Sequence, residues 1–282
     1  MNSHLRTSEE AGRFAIERRD NGETVASVEE KEWDSEFFGK KIGSLAIDHH
    51  QLSGLPVDSV LQSMRRLVRW TDEHGFDLTE ASLDASGIQF VPVLESCGYR
   101  LVDTKITFLS LLNKDELPEY PSVPGEIRFA TEDDLEDILR LTHEGFTHNP
   151  SFTSRYANRA YFTEKETTRY YTAWIRNHLE TDGSFFVVWT VNDELVGYYI
   201  YRREGDEGGT ATYKGILCTI APEARGHKGH LAMQAFLYEF LPDEKFLLNN
   251  TTQLNNYAVI KNHIFSQKKL ERIELLFFRE CG

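Results

Sequence analysis

Two periods of apolar residues alternate along the chain and predict its helices and strands. In the first half, DSVLQSMRRLVRWTDEHG repeats apolar residues at helical spacing and ends at Gly75, a common helix stop. Strands are predicted for FDLTEASL and YRLVDTKITFLSLL, with a short helix, IQFVPVLESCG, between them. The first 25 residues are polar and charged, and we expect a frayed arm or a short edge strand there.

The second half of the chain has sharper local signals. The segment DELPEYPSVPGE contains three prolines and a glycine, which predicts a linker between two units. Beyond it, Thr131–Asp134 and Thr163–Glu166 have the spacing of helix N-caps with an acidic residue three positions on. The strands SFFVVWTV and ELVGYYIY flank Asn192–Asp193 and predict a hairpin. The predicted order after the linker is β-α-α-β-β-β-α-β-α-β, which indicates a mixed α/β sheet.

These patterns divide the chain into three predicted segments. They are a polar arm over residues 1–25, a first α/β unit over residues 26–115 and a second unit over residues 125–282. A chain of 282 residues with 40% hydrophobic residues is long and apolar enough for two small cores, and this composition excludes a disordered protein.

Charge and cysteine usage narrow the class of protein further. The formal net charge of −14 disfavours nucleic acid as a partner. No apolar run approaches the roughly 18 residues that span a bilayer, and the first residues do not resemble a secretory signal. Cys97, Cys218 and Cys281 are widely spaced and odd in number, which is typical of a reducing compartment. We therefore expect a cytoplasmic protein with no nucleic-acid or membrane partner.

The strongest candidate site is the loop APEARGHKGHL, between the strand TATYKGILCTIA and the helix LAMQAFLYEFL. The first amide groups of a helix lack intrahelical acceptors, and the helix dipole adds positive potential, so such a turn can bind an anion. Arg225 and Lys228 would add positive charge there. The alternative is an ordinary loop with solvated basic residues. The spacing of a nucleotide-binding P-loop is absent.

This loop and the order of elements resemble the GNAT N-acyltransferases, whose acetyl-CoA loop typically reads [Q/R]-x-x-G-x-[G/A]. Arg225 and Gly226 are present, but Lys228 stands where the pattern has glycine, and Gly229 fits only with one inserted residue. TTQLNNYAVIKNH, EWDSEFFGKKIG, LESCGYRLVDTKITF and SRY…YYTAWIRNHL resemble dTDP-fucosamine N-acetyltransferase-like proteins. The resemblance implies a mixed-sheet GNAT fold of two tandem α/β units, the N-terminal one degenerate and free of cofactor.

The resemblance also implies site residues. Acetyl-CoA would be contacted by the strand end, the loop and the next helix, through Cys218, Thr219, Ile220, Arg225, Gly226, His227, Lys228, Gly229, His230, Leu231 and Asn256. The proton-donating tyrosine of the family coincides with His263, whose imidazolium could protonate the leaving thiolate. A packed or solvated helix histidine is the alternative, and Tyr257 is a second candidate donor. No general base is evident; Glu204 or Glu144 acting through water is one option.

The amine acceptor has its own candidate residues. Tyr170, Tyr171 and Trp174 could form an aromatic wall, although aromatic residues at helical spacing are also typical of a core. Asn250 and Thr252, at the end of a strand, could hold the acceptor by hydrogen bonds.

The resemblance implies transfer of an acetyl group from acetyl-CoA to a primary amine, with an amino-sugar nucleotide as the acceptor. Other small amines (an amino acid, a polyamine or an antibiotic), a peptide N-terminus, and a non-catalytic acyl-CoA-binding or regulatory module stay open. His227 and His230 have no third ligand at suitable spacing, so no metal is expected. The sequence leaves a homodimer open.

Overall fold

The structure, a computed structural model, describes residues 4–10, 12–117, 120–148 and 154–282. It divides into two units. The N-terminal unit comprises Met1–Lys105 and Arg272–Gly282, and the C-terminal unit comprises Ile106–Glu271. This division differs from the predicted segments 26–115 and 125–282, because the two boundaries fall inside long strands and not in the proline-rich linker.

The N-terminal unit contains four helices, which are α1 (Glu32–Phe38), α2 (His49–Leu52), α3 (Val57–Glu73) and α4 (Val91–Ser96). Its strands are β1 (Leu5–Glu10), β2 (Arg13–Arg18), β3 (Thr24–Glu30), β4 (Ile42–Ile47) and β5 (Leu78–Asp84). They lie in the order β1-β2-β3-β4-β5 and are followed by β12 (Lys269–Glu280). All neighbours are antiparallel except β4 and β5, which are parallel.

For residues 1–25 the sequence left open a frayed arm or a short edge strand, and the described part of this segment forms strands: β1, at the edge of the sheet, then β2 and the start of β3. Leu5, Phe14 and Ile16 are buried, while most of their neighbours on β1 are exposed. These strands form with few buried residues, because the backbone of β1 pairs with that of β2 over six residues. Residues 1–3 and 11 of the expected arm lie outside the described residues.

The elements after the linker follow one another in the predicted order, and all but the last, β12, lie in the C-terminal unit. Its strands are β7 (Glu126–Phe129), β8 (Ser184–Val191), β9 (Glu194–Glu207), β10 (Thr210–Ile220) and β11 (Lys245–Gln253), in the sheet order β11-β10-β9-β8-β7 with β6 (Arg100–Asn113) beside β11. Its helices are α5 (Leu135–Thr142), α6 (Glu164–Leu179), α7 (Gly229–Phe240) and α8 (Tyr257–Phe265). A π-helical turn, His143–Thr147, extends α5.

Local signals in this unit form as predicted. Capping boxes are present at Thr131 and at Thr163. Asn192 and Asp193 have φ of 51° and 64°, the left-handed pair that a tight two-residue hairpin requires. The core under the helices is continuous from α5 to β11 and includes Trp189 and Tyr213.

The two halves of the chain repeat one order of elements, and most of the last strand of each repeat belongs to the unit formed by the other repeat. Apart from the short helices α1 and α2, the element order β2-β3-β4-α3-β5-α4-β6 in the first half of the chain matches β8-β9-β10-α7-β11-α8-β12 in the second half. Yet residues 106–113 of β6 belong to the C-terminal unit, and β12 pairs with β5 of the N-terminal unit from Glu274 to Glu280. The two repeats have therefore exchanged their final strands.

Candidate active site

A wedge opens between β10 and β11 in the C-terminal unit. The two strands pair in parallel from Ala211 and Phe246 to Gly215 and Asn250, where the pairing ends. β10 continues along β9 to Ile220, with a bulge at Ile216. Residues 216–220 are only half-buried. Within the described residues no strand pairs with this edge of β10, so its backbone groups are available to an extended ligand.

The turn that follows this edge presents a row of amide groups. Gly226 and Lys228 have φ of 86° and 61°, which gives the turn the alternating backbone of an anion-binding nest, and α7 begins at Gly229. Among the residues that the structure describes, no acceptor lies opposite the amides of residues 226–230. Leu231 is the first residue of the helix whose amide is bonded, to the carbonyl of Lys228 at 2.9 Å. This is the arrangement that binds phosphate groups.

Tight packing fixes the start of α7. A Cβ atom at Gly229 would overlap the Trp189 ring, at 2.5 Å from its Cε3 atom. Trp189 is 1% exposed, and its indole Nε1 donates a hydrogen bond to the carbonyl of Pro124 at 2.7 Å. Because only glycine lets the backbone approach this ring, Gly229 sets the position of the free amides.

The basic side chains of the loop divide between surface and core. Arg225, His227 and Lys228 are exposed, and Lys228 Nζ lies 5.2 Å from the centre of the Phe265 ring on α8. Arg225 Nε donates to the carbonyl of Ile220 at 3.1 Å, which braces the turn against the end of β10. His230 is buried, so of the two histidines only His227 can add its side chain to an anion site.

The end of β10 presents alternate side chains to the two faces of the sheet. Cys218 pairs with Tyr199, and Thr219 pairs with Tyr198 and crowds Gly145. Burial raises the pKa of the Cys218 thiol well above its usual value, so the thiol stays protonated at neutral pH. Cys218 therefore adds no negative charge to this edge of β10.

Helix α8 has an unusual pattern of burial. His263 is its only buried residue, whereas Tyr257, Ile264 and Phe265 are each more than 60% exposed. Asn256 is the N-cap, and its side chain accepts a long hydrogen bond from the amide of Val259, at 3.4 Å. The helix therefore directs one polar ring into the protein and leaves Tyr257 and the two apolar residues at its end at the surface.

His263 does not have the surroundings of the expected imidazolium. Burial, followed by the charge of Lys268 and then by His230, lowers the pKa of His263 to about 2. The ring is therefore neutral at pH 7 and has no proton of an imidazolium to give. His230, 5.6 Å away between ring centres, has a pKa lowered to about 3 by burial and by Lys268.

Lys268 was not anticipated from the sequence. It is 8% exposed, and its Nζ donates to Asn250 Oδ1 at 2.8 Å. The Asn250 amide in turn donates to the Tyr199 hydroxyl at 2.7 Å. Burial lowers the pKa of Lys268 to about 7. Asn250, a candidate for holding the acceptor, thus holds this lysine at the apex of the wedge, and Thr252 is buried.

The predicted aromatic wall on α6 is only partly accessible. Tyr171 is buried, stacks on Phe146 and shares a hydrogen bond with the hydroxyl of Ser154. Tyr170 and Trp174 are half-buried and lie 6.0 Å apart between ring centres. Two of the three residues can therefore contact a ligand.

The described residues hold no group of three or more histidine, cysteine, aspartate or glutamate side chains arranged for a metal ion. His227 and His230 point to different environments, one exposed and one buried. No helix in the described part of the chain is long and apolar enough to cross a bilayer.

Comparison with known proteins connects this geometry to one fold. No protein-family model and no curated protein matches the sequence. A GCN5-related N-acetyltransferase from Sphaerobacter thermophilus is 14% identical, with a TM-score of 0.59, over 95% of this chain and 80% of that chain. A tandem GNAT protein from the clavulanic acid biosynthesis pathway is 12% identical, with a TM-score of 0.55, over 96% of this chain and 82% of that one.

A third solved structure is similar over the whole chain. It is a conserved protein of unknown function from Staphylococcus epidermidis ATCC 12228, 11% identical, with a TM-score of 0.56, and the match covers 100% of this chain and 96% of that one. At these identities the similarity shows the fold. The predicted fold class is confirmed: a mixed α/β GNAT fold in two tandem units.

Proposed function

We propose that the protein is an acyl-CoA-dependent N-acyltransferase, with acetyl-CoA as donor and the C-terminal unit as the site of chemistry. One observation carries this proposal: five successive amide groups without acceptors among the described residues directly follow the unpaired edge of β10. The diphosphate of acyl-CoA can bind the free amide groups. Its extended pantetheine chain, which has amides of its own, can pair with the edge of β10.

The local charge fits a diphosphate although the chain as a whole is acidic. The net charge is −14, so bulk electrostatics repels an anion. Lys228 and His227 are exposed beside the free amides, and the dipole of the 12-residue helix α7 adds positive potential at the same point. Binding of a diphosphate therefore depends on this turn and on few other groups.

The edge of β10 also supplies groups for the reaction. A neutral amine attacks the thioester carbonyl, and the oxygen that becomes negative can accept hydrogen bonds from amides of residues 216–220. A preorganised donor of this kind is typically worth about 3 kcal/mol of transition-state stabilisation. The C–S bond then breaks, the CoA thiol leaves and the nitrogen loses a proton.

The N-terminal unit lacks the corresponding turn, which supports its being a degenerate repeat. Where β10 leads into a turn with five free amides, β4 leads into α2, and the loop after α2 contains the left-handed Gly54 but ends at Pro56, the N-cap of α3. Proline has no amide hydrogen to donate. We therefore place no acyl-CoA in this unit.

For the acceptor we propose the amino group of an amino-sugar nucleotide. The resemblance of the sequence to dTDP-fucosamine N-acetyltransferase-like proteins supports it. So does the accessible pair Tyr170 and Trp174, since aromatic rings bind sugar faces and bases.

Calorimetric titration with CoA tests the binding site. We expect Lys228→Ala to raise the Kd for CoA about fivefold, the effect of losing an exposed charge pair worth ~1 kcal/mol. Lys245→Ala removes another exposed lysine, at the start of β11, and is expected to leave the Kd unchanged. Equal effects of the two substitutions would contradict the proposed location.

Release of CoA thiol from acetyl-CoA, measured against a panel of amines, tests the reaction. The panel should contain amino-sugar nucleotides, amino acids, polyamines and aminoglycosides. Turnover with nucleotide-linked amino sugars supports the acceptor class, and turnover with another amine replaces it. A protein that binds acetyl-CoA and turns over no amine is a binding module, which refutes the proposed activity.

A further inference from the structure

The turn after α8 is built to direct Lys268 inward. Gln267 has φ of 55°, in the left-handed region that glycine prefers. The amide of Lys268 bonds the carbonyl of His263 at 3.0 Å, and that of Gln267 bonds Ile264 at 3.0 Å, which is the Schellman arrangement. A non-glycine residue in this conformation costs roughly 1–2 kcal/mol. This strained residue directly precedes Lys268, and the turn that it forms directs Lys268 into the protein.

The contacts of Lys268 place its ammonium at the apex of the wedge. Its acceptor, Asn250, is the last residue of β11 that pairs with β10, opposite Gly215. A Cβ atom at Gly215 would overlap the Asn250 amide and lie 2.8 Å from the Tyr199 hydroxyl. The absence of a side chain at Gly215 thus leaves room for the Asn250–Tyr199 pair, which fixes the lysine where β10 and β11 separate.

The surroundings of Lys268 contain little to neutralise its charge. An ammonium has three donors, and Asn250 Oδ1 is its one hydrogen-bond acceptor among the described residues. The titratable groups that face it are His230 from α7 and His263 from α8, both neutral at pH 7, with the Tyr199 hydroxyl beyond Asn250. No carboxylate in the described part of the chain forms an ion pair with it. Buried charges without a partner are costly and are concentrated at functional sites.

We propose that Lys268 is the catalytic proton donor to the leaving CoA thiolate, and that Asn250 is its positioning residue. This inference rests on the proposed acyl-CoA-dependent activity. It assigns to a lysine of the α8–β12 turn the role that the sequence suggested for His263.

In the proposed step the acetyl group passes directly from sulfur to nitrogen. The nitrogen lone pair of the amine forms a bond to the thioester carbon, and the C–S bond breaks with its electron pair on sulfur. The Lys268 ammonium gives its proton to that sulfur, so CoA leaves as the thiol. The new amide nitrogen still carries an excess proton, which returns through water to the neutral lysine. A pKa of about 7 allows Lys268 to give and to regain a proton near neutral pH.

Lys268→Met and Lys268→Arg test the inference together. Both are expected to lower kcat roughly 10²–10⁴-fold while the Kd for acetyl-CoA stays within about threefold of wild type. Arginine keeps the charge but does not release a proton, so a purely electrostatic or structural role would be rescued by Lys268→Arg and not by Lys268→Met. Lys269→Met, the exposed neighbour, is the control and should keep wild-type kcat.

The pH profile gives a second measurement. The kcat of the wild type should fall as pH rises through about 7, because the acid form of Lys268 is lost. Asn250→Asp places a carboxylate beside the ammonium and should move this limb about one unit or more to higher pH. Asn250→Asp keeps the side-chain volume, so it tests the inference even if Lys268→Met does not fold.

The outcomes separate the two proposals. A wild-type protein that binds acetyl-CoA and acylates no amine overturns the proposed function and this inference with it. An active wild type whose Lys268→Met variant retains kcat, or whose pH limb is unmoved by Asn250→Asp, overturns the inference alone.

Discussion

Replacement of Gly229 by alanine is the sharpest test of how the nest is held. The added Cβ atom would lie 2.5 Å from Trp189 Cε3, whereas non-bonded carbon atoms settle about 3.5–4.0 Å apart. The Cβ atom and the Trp189 ring must therefore move apart by about 1 Å or more. Trp189 is buried in β8 and anchored through its indole N–H to Pro124, so the start of α7 is the part that moves.

The magnitude follows from two opposing effects. Overpacking of a core costs about 1–3 kcal/mol. Alanine is favoured over glycine in a helix by about 1 kcal/mol, which offsets part of this cost. We expect a net loss of up to about 2 kcal/mol, or a fall in Tm of up to about 8 °C for a protein of this size. Because the free amides move with the helix, the Kd for CoA should rise tenfold or more.

Differential scanning fluorimetry and calorimetric titration with CoA measure the two effects separately. Gly208→Ala is the matched control. Gly208 has φ of 57° in the β9–β10 turn and no atom within 4 Å of the added Cβ, so the substitution costs stability through the backbone alone. Its Kd for CoA should equal that of the wild type. If Gly229→Ala loses stability yet binds CoA with unchanged Kd, the turn before α7 does not hold the diphosphate.

Two further predictions concern the buried histidines. Since the pKa values of His230 and His263 lie below those of the unfolded chain, their stabilising effect is complete above pH 6.5 and is lost as pH falls towards 3, by up to about 1.4 kcal/mol per pH unit for each ring. Denaturant unfolding between pH 7 and pH 5 measures this slope, which His263→Phe should reduce; a flat profile would mean that the rings are not buried as neutral groups. His263→Phe should also lower the rate of CoA release by less than tenfold, because a neutral imidazole supplies no proton, and a loss of 10²-fold or more would return the donor role to His263.

Elements whose causes are local were predictable from the sequence. The capping boxes at Thr131 and Thr163 and the turn at Asn192–Asp193 depend on residues within four positions of one another. A short edge strand was one of two expectations for residues 1–25, but β1 and β2 could not be located, because they have few inward residues, such as Leu5 and Phe14, and are held by pairing with each other.

The candidate site was predictable in outline and not in its chemistry. The loop before α7 was identified from its glycines and basic residues, and the structure brings it beside the unpaired edge of β10. In the sequence Lys268 is one of two adjacent lysines at the polar end of the predicted helix NNYAVIKNHIFSQKK, and only its burial distinguishes it from Lys269. The charge state of His263 depends in the same way on how deeply α8 directs it into the protein, which sequence spacing does not report.

The exchange of β6 and β12 between the repeats has a consequence for how the chain can be divided. Cutting in the proline-rich segment would yield two pieces of repeat-like length, each deprived of the strand that borders its own central sheet. The piece with the nest would lack residues 106–113, which lie beside β11. The sheet that carries the nest is thus completed by a part of the polypeptide that is synthesised before it, and neither repeat contains all the strands of its own sheet.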